Sequence, residues 1–257
     1  MKTIDKINCK IKGFGNYTCR SKGNAEKCGG VFYKCADLNS KRYYKKAIEH
    51  FKLVEQEMIA YNENLACEDF DKLKDRKKCN GDLLKTDRKT QETSKENINE
   101  DFICRCYYLC YTGKCTINCP RRFNSPDGEY QIVDYQMPPK KGNCGKIDLV
   151  ITDNTNIYLT EVKPPVGNDE TLLRMICEIL THTSYLKLNK HFHKYINDRH
   201  KINIDESKVY PAIMFFSDSK QLEEYENCEK EILEIINKNN IKVFECNAET
   251  KRIYKKN

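Results

Sequence analysis

Two short runs, residues 146–151 (Lys-Ile-Asp-Leu-Val-Ile) and 157–163 (Ile-Tyr-Leu-Thr-Glu-Val-Lys), are apolar at both odd and even positions. A strand buried on one face alternates apolar with polar, whereas one buried on both faces does not. Between them lies a polar turn, Asp153-Asn154-Thr155-Asn156. The pattern predicts a hairpin of two buried strands. An even-length loop centred between Asn154 and Thr155 pairs Asp153 with Asn156 and Thr152 with Ile157. Four further steps set Asp148 opposite Glu161.

The rest of the chain divides around that hairpin. Tyr44, Ile48, Phe51, Glu55 and Met58 recur at helical spacing, with Ala47, Val54 and Ile59 beside them, predicting a helix over about 41–66. From residue 67 the chain turns polar, and 80–99 has little to bury beyond Leu83, Leu84 and Ile98, the composition of a linker or exposed loop. A helix over about 99–111 comes next, then a strand over 130–136 and the hairpin. Asn168 or Asp169 can cap a helix running to about Leu188. Its apolar face is Leu172, Ile176, Ile179, Leu180 and Thr183, beside a polar stripe of Arg174, Glu178, Thr181 and Tyr185. A strand over 209–216, a helix over about 219–239 and a strand over 241–246 complete the order. Helix, three-strand meander, helix, strand, helix, strand predicts an α/β fold with a mixed sheet flanked by helices. Three regions follow: a Cys-rich N-terminal helical lobe over 1–80, a polar linker over 81–99, and an α/β domain over 100–257.

The register argument has chemical consequences. Directly opposed residues of an antiparallel pair point to one face with Cβ atoms roughly 5 Å apart. Asp148 and Glu161 held that close repel unless a cation lies between them, and a hard divalent cation with oxygen ligands suits the gap. Lys163 shares their face because side chains alternate along a strand. An exposed hairpin with a cross-strand charge pair is the bland alternative. The apolar flanks argue against it, because buried carboxylates need a partner or a metal.

In this order, Gly145-Lys146-Ile147-Asp148-Leu149-Val150 followed by Tyr158-Leu159-Thr160-Glu161-Val162-Lys163 resembles the core hairpin of the PD-(D/E)XK nuclease superfamily, with its restriction-endonuclease-like αβββαβ core. The likeness covers about residues 100–246. It implies a DNA-hydrolysing nuclease in which Asp148 and Glu161 ligate Mg²⁺ or Mn²⁺, with the Val162 carbonyl as a third oxygen. Lys163 would then orient or deprotonate the attacking water, or stabilise the phosphate. A dication beside Lys163 would depress its pKa by like-charge repulsion. The family often adds an acid from the first helix, for which Glu100 is the candidate and Glu129 a weaker one. One branch carries a Gln and a Tyr on the helix after the Lys. Glu178, His182 and Tyr185 occupy that region here, but the Gln is missing.

The chain has 257 residues, of which 39% are hydrophobic and 32% charged, enough for a real core. Its net charge of +7 is compatible with a phosphate-bearing partner. No apolar run approaches a membrane span and the N-terminus lacks a signal-peptide core, so a cytoplasmic protein without a membrane partner is expected. The sequence leaves the oligomeric state open, a homodimer included. Fifteen cysteines without a secretion signal argue for reduced thiols or metal ligation over a disulfide framework. Cys104, Cys106, Cys110, Cys115 and Cys119 are dense but not at a standard zinc-finger spacing. Cys9, Cys19, Cys28 and Cys35 could form a separate tetrahedral zinc site. Zinc ranks ahead of an iron–sulfur cluster, and buried inert thiols are the bland reading. The other functional classes left open are a silent nucleic-acid-binding protein with a nuclease-like fold and a Cys-rich zinc-binding interaction protein.

Overall fold

The computed structural model describes residues 100–115, 119, 122–139, 145–164 and 170–257, together with Leu38, Ile48, Glu49, Phe51, Glu55, Cys67, Glu68 and Phe70. The cysteines at 9, 19, 28 and 35, most of the helix expected over 41–66 and the linker over 81–99 lie outside the described residues.

Helix α1 (Glu100–Tyr111) leads into an antiparallel meander of β1 (Gln131–Met137), β2 (Ile147–Thr152) and β3 (Ile157–Val162). Helices α2 (Leu172–Leu186) and α3 (Lys190–His200) then carry the chain to β4 (Val209–Phe216). Helices α4 (Lys220–Glu226) and α5 (Lys230–Lys238) carry it to β5 (Lys242–Cys246), and β6 (Ile253–Lys255) closes the order. The six strands form one mixed sheet in chain order. β3, β4 and β5 are parallel, with antiparallel pairs on either side. Right-handed crossovers between successive parallel strands put both helical connections on one face. Accordingly, Val150, Ile157, Leu159, Val209, Ile213 and Val243 pack with Ile176, Phe192, Ile196 and Ile236. The opposite parity, Leu149, Ile151, Tyr158, Met214 and Phe244, packs under α1.

The hairpin register is as the pattern predicts. Thr152 pairs Ile157, Ile151 pairs Tyr158, Val150 pairs Leu159 and Leu149 pairs Thr160. Every residue of both strands is buried. In α2 the predicted apolar face is buried, while Arg174, Glu178, Thr181 and Tyr185 are all half-buried. Other expectations needed correction. The α2 cap is Thr171, whose hydroxyl accepts from the Arg174 amide. The Lys- and His-rich stretch after α2 is a helix of its own, capped by Asn189, which accepts from His191 and Phe192 amides. The helix expected over 219–239 is two helices broken around Asn227–Glu229. Strand β6 was not expected at all.

The described residues of the first eighty join the same core. Leu38, Ile48, Phe51, Cys67 and Phe70 are buried in the cluster that holds α2, α3 and α5. Ile48, Phe51 and Glu55 are helical, as their spacing predicts. Thr171 donates to the Leu38 carbonyl and Asn189 to the Cys67 carbonyl at 2.7 Å, while Glu55 pairs with Lys238. Among the described residues no helix is long and apolar enough to cross a membrane.

Candidate functional site

Five carboxylates from four elements gather at one end of the hairpin. Asp148 is the second residue of β2, Glu161 the last but one of β3, and Lys163 follows that strand. Glu100 opens α1, Glu170 precedes the α2 cap, and Glu178 lies on the polar stripe of α2. Continued one step, the hairpin register sets Asp148 opposite Glu161. Both are essentially inaccessible, at 2% and 1% exposure, as is Lys163 at 3%.

Asp148 is held by two donors. The Val162 amide N–H donates to Oδ2 at 2.8 Å and the Gln136 side chain to Oδ1 at 3.2 Å. Gln136 does so from a left-handed backbone conformation (φ 50°) near the end of β1, an uncommon state for a residue with a Cβ. The β1–β2 register also slips between Ile132 and Asp134. A strand distorted this way re-aims its side chains, and here Gln136 reaches Asp148.

The Lys163 ammonium is the hub. It donates to Glu161 Oε1 and to Glu100 at 3.0 Å, and forms ion pairs with Glu170 at 2.9 Å and Glu178 at 3.7 Å. Arg174 adds a second cation, 2.9 Å from Glu170. Five carboxylates therefore face two cations. Burial raises the pKa of Asp148 and so does Glu100, outweighing the lowering by Lys163 and by the Val162 amide. Burial likewise lifts Glu161, with Asp148 and Glu178 adding to it. Burial alone would lower Lys163, but Glu161, Glu178, Glu100 and Asp148 together hold it well above the ordinary lysine value.

Glu161 Oε2 is buried with no hydrogen-bond partner. An orphaned carboxylate oxygen in the interior is costly unless something cationic meets it. Oxygens of Glu100, Asp148 and Glu161 lie within 4.8 Å of one another, and so do ligand atoms of Glu161, Glu178 and His182. Both groups fit a hard divalent ion by donor chemistry, and Glu161 belongs to each.

The candidates named from sequence separate accordingly. Asp148, Glu161, Lys163, Glu100 and Glu178 converge. Val162 is tied in through its N–H, which donates to Asp148. Tyr185 lies two turns beyond Glu178 along α2, roughly 10 Å by helical rise, and Glu129 is exposed. Cys104 is fully buried near the acids. Burial, with Asp148, Glu100 and Glu161 adding to it, pushes its thiol pKa well up, which keeps it protonated and a poor ligand. Sequence reasoning missed Glu170, Gln136 and Arg174. Glu170 reads as an ordinary acid at a helix N-terminus, and nothing in the spacing of Gln136 announces its bond to Asp148.

No family model, curated protein or solved structure matches this chain. The functional reading therefore rests on the geometry of the site and on the motif that led to it.

Proposed function

We propose that the protein is a metal-dependent nuclease that hydrolyses DNA phosphodiester bonds through Asp148, Glu161 and Lys163, on a restriction-endonuclease-like core. The observation that supports this most is Glu161 Oε2. It is a buried carboxylate oxygen with no donor, inside a cluster where acids outnumber cations. The element order of α1, the three-strand meander, the α2 crossover and β4 agrees with that core. Glu100, Asp148 and Glu161 would hold Mg²⁺ or Mn²⁺, with Glu178 and His182 beside them. When bound, the ion supplies a more acidic water and neutralises charge on the scissile phosphate.

The chain's own residues do the positioning. Val162 and Gln136 fix both oxygens of Asp148, so the carboxylate has little freedom to rotate. Lys163 stands between Glu161, Glu100 and Glu170, where it can donate hydrogen bonds to a phosphate oxygen or orient the attacking water. Glu100 and Glu170 steer that ammonium from opposite flanking elements.

The test is conversion of supercoiled plasmid and degradation of linear DNA by purified protein in Mg²⁺, with EDTA, Lys163→Ala and Asp148→Asn as controls. Cleavage that disappears in all three controls supports the reading. Cleavage that persists unchanged in Lys163→Ala sinks it. A second reading has its own observation: Lys163 meets four carboxylates, as a purely structural ion-pair hub would. On that reading a silent nucleic-acid-binding protein retains DNA in a shift assay and never cleaves it with any divalent ion.

A further inference from the structure

Glu161 belongs to two groups of ligand atoms, and only one of them is made of oxygens alone. The first, with Glu100 and Asp148, joins α1 to the hairpin. The second, with Glu178 and His182, joins β3 to α2. Glu178 and His182 are four residues apart on that helix, so their side chains are neighbours on one face. Ile176, Ile179 and Leu180 of α2 are buried in the same core as Leu159 of β3. That packing carries the Glu178–His182 pair to the end of the strand, where ligand atoms of all three residues lie within 4.8 Å of one another. His182 is buried as deeply as Glu161, each at 1% exposure.

We propose that Glu161, Glu178 and His182 form a second cation position next to the all-carboxylate one, and that it takes a first-row transition dication such as Mn²⁺ in preference to Mg²⁺. The donor set carries the preference. Mg²⁺ keeps to oxygen ligands and gives up its water reluctantly, whereas imidazole nitrogen is a ligand of transition ions. Glu161 also has the capacity to serve two positions. Its Oε1 accepts from Lys163, while its Oε2 is buried without a partner, and a buried carboxylate oxygen calls for a cation or a donor. The local charge leaves room for a second ion. With five carboxylates ionised against Lys163 and Arg174, one dication leaves the centre negative. Glu161 is shared by both positions, so this inference rests on the metal-dependent reading proposed above.

The test is Mn²⁺ binding to the full chain without nucleic acid, counted by EPR of the unbound ion. The wild type is expected to bind two equivalents, of which excess Mg²⁺ displaces one. His182→Ala and Glu178→Gln should each lose the Mg²⁺-resistant equivalent and keep the other. Asp148→Asn should show the reverse pattern. His191→Ala, which alters an exposed histidine of α3, should lose neither. Pulsed EPR of the wild type adds a readout that needs no variant to fold, with ¹⁴N coupling expected on the Mg²⁺-resistant ion. A single equivalent, lost in Asp148→Asn and unchanged in His182→Ala, would overturn this inference and leave the nuclease reading standing. Absence of nitrogen coupling, or displacement of both ions by Mg²⁺ alike, would overturn it too. A wild type that binds no Mn²⁺ at all would overturn both readings.

Discussion

Two acids are buried on neighbouring strands of this sheet, and their surroundings could hardly differ more. Asp134 on β1 is fully inaccessible. It accepts from the Tyr195 hydroxyl at 2.5 Å and from the Tyr135 amide at 2.8 Å. Arg199 in turn donates to the Tyr195 hydroxyl. The chain from Arg199 through Tyr195 to Asp134 ties α3 to the sheet with its donors matched to acceptors. Asp148 on β2 stands instead among Glu100, Glu161 and Glu178, all raising the cost of charge, and its partner Glu161 keeps an orphaned oxygen. A buried polar group that is satisfied holds the fold together. One crowded by like charge holds a place for something else.

The largest expected effect separates the two regions outright. Lys163→Ala should lower Mg²⁺-dependent DNA cleavage by about 10²–10⁴-fold, measured as single-turnover rates on labelled duplex. Tyr195→Phe should leave that rate within a few-fold. Equal losses would show that the regions are not distinct.

Stability should move in opposite directions. Tyr195→Phe strips Asp134 of a hydroxyl donor and should cost about 2 kcal/mol. Glu161→Gln removes a like charge from the crowded centre and should stabilise the chelator-treated protein by about 1–3 kcal/mol, while abolishing cleavage. Urea unfolding in EDTA reads both, and changes of the same sign would break the comparison.

Divalent ions should likewise act on one region only. Mg²⁺ at saturating concentration should raise the melting temperature of the wild type but not of Asp148→Asn, and Tyr195→Phe should keep the full increment. A binding constant exceeded 100-fold corresponds to about 2.7 kcal/mol.

The smallest effect concerns His200, beside the Asp134 network. Burial lowers its pKa from 6.5 to about 4, with Asp134 raising it and Arg199 and Lys114 lowering it further. The unfolded chain therefore binds the proton more readily than the folded one between these values. Stability from this residue is complete above pH 6.5 and is lost as pH falls towards 4. His200→Asn should flatten that acid limb by on the order of 1–2 kcal/mol.

Much of this was legible in the sequence because strand burial and hairpin register are local. The unbroken apolar runs and the four-residue polar turn set Asp148 against Glu161, and the bounds of β4 follow from its apolar run. The Glu178 stripe followed from helical period. Breaks between helices were less legible. Asn189 caps α3 inside a stretch rich in Lys and His, and Asn227–Glu229 interrupts two helices without Gly or Pro. Strand β6 is only three residues long and is defined by its neighbour, with Cys246 pairing Ile253.

The sequence by itself determined the central pair and its lysine, because alternation along a strand and the parity of a turn are properties of consecutive residues. Only the tertiary structure decided the rest of the centre. Glu100, Glu170, Gln136 and Arg174 come from elements as far as 74 residues apart in the chain (Glu100 to Arg174), and their meeting depends on how α1 and α2 pack on the sheet. The same packing buried Cys104 by the acids and left Cys115 and Cys119 partly buried at the rim of the core beneath α1. No periodicity encodes such distances, since they are set when separate faces are buried together.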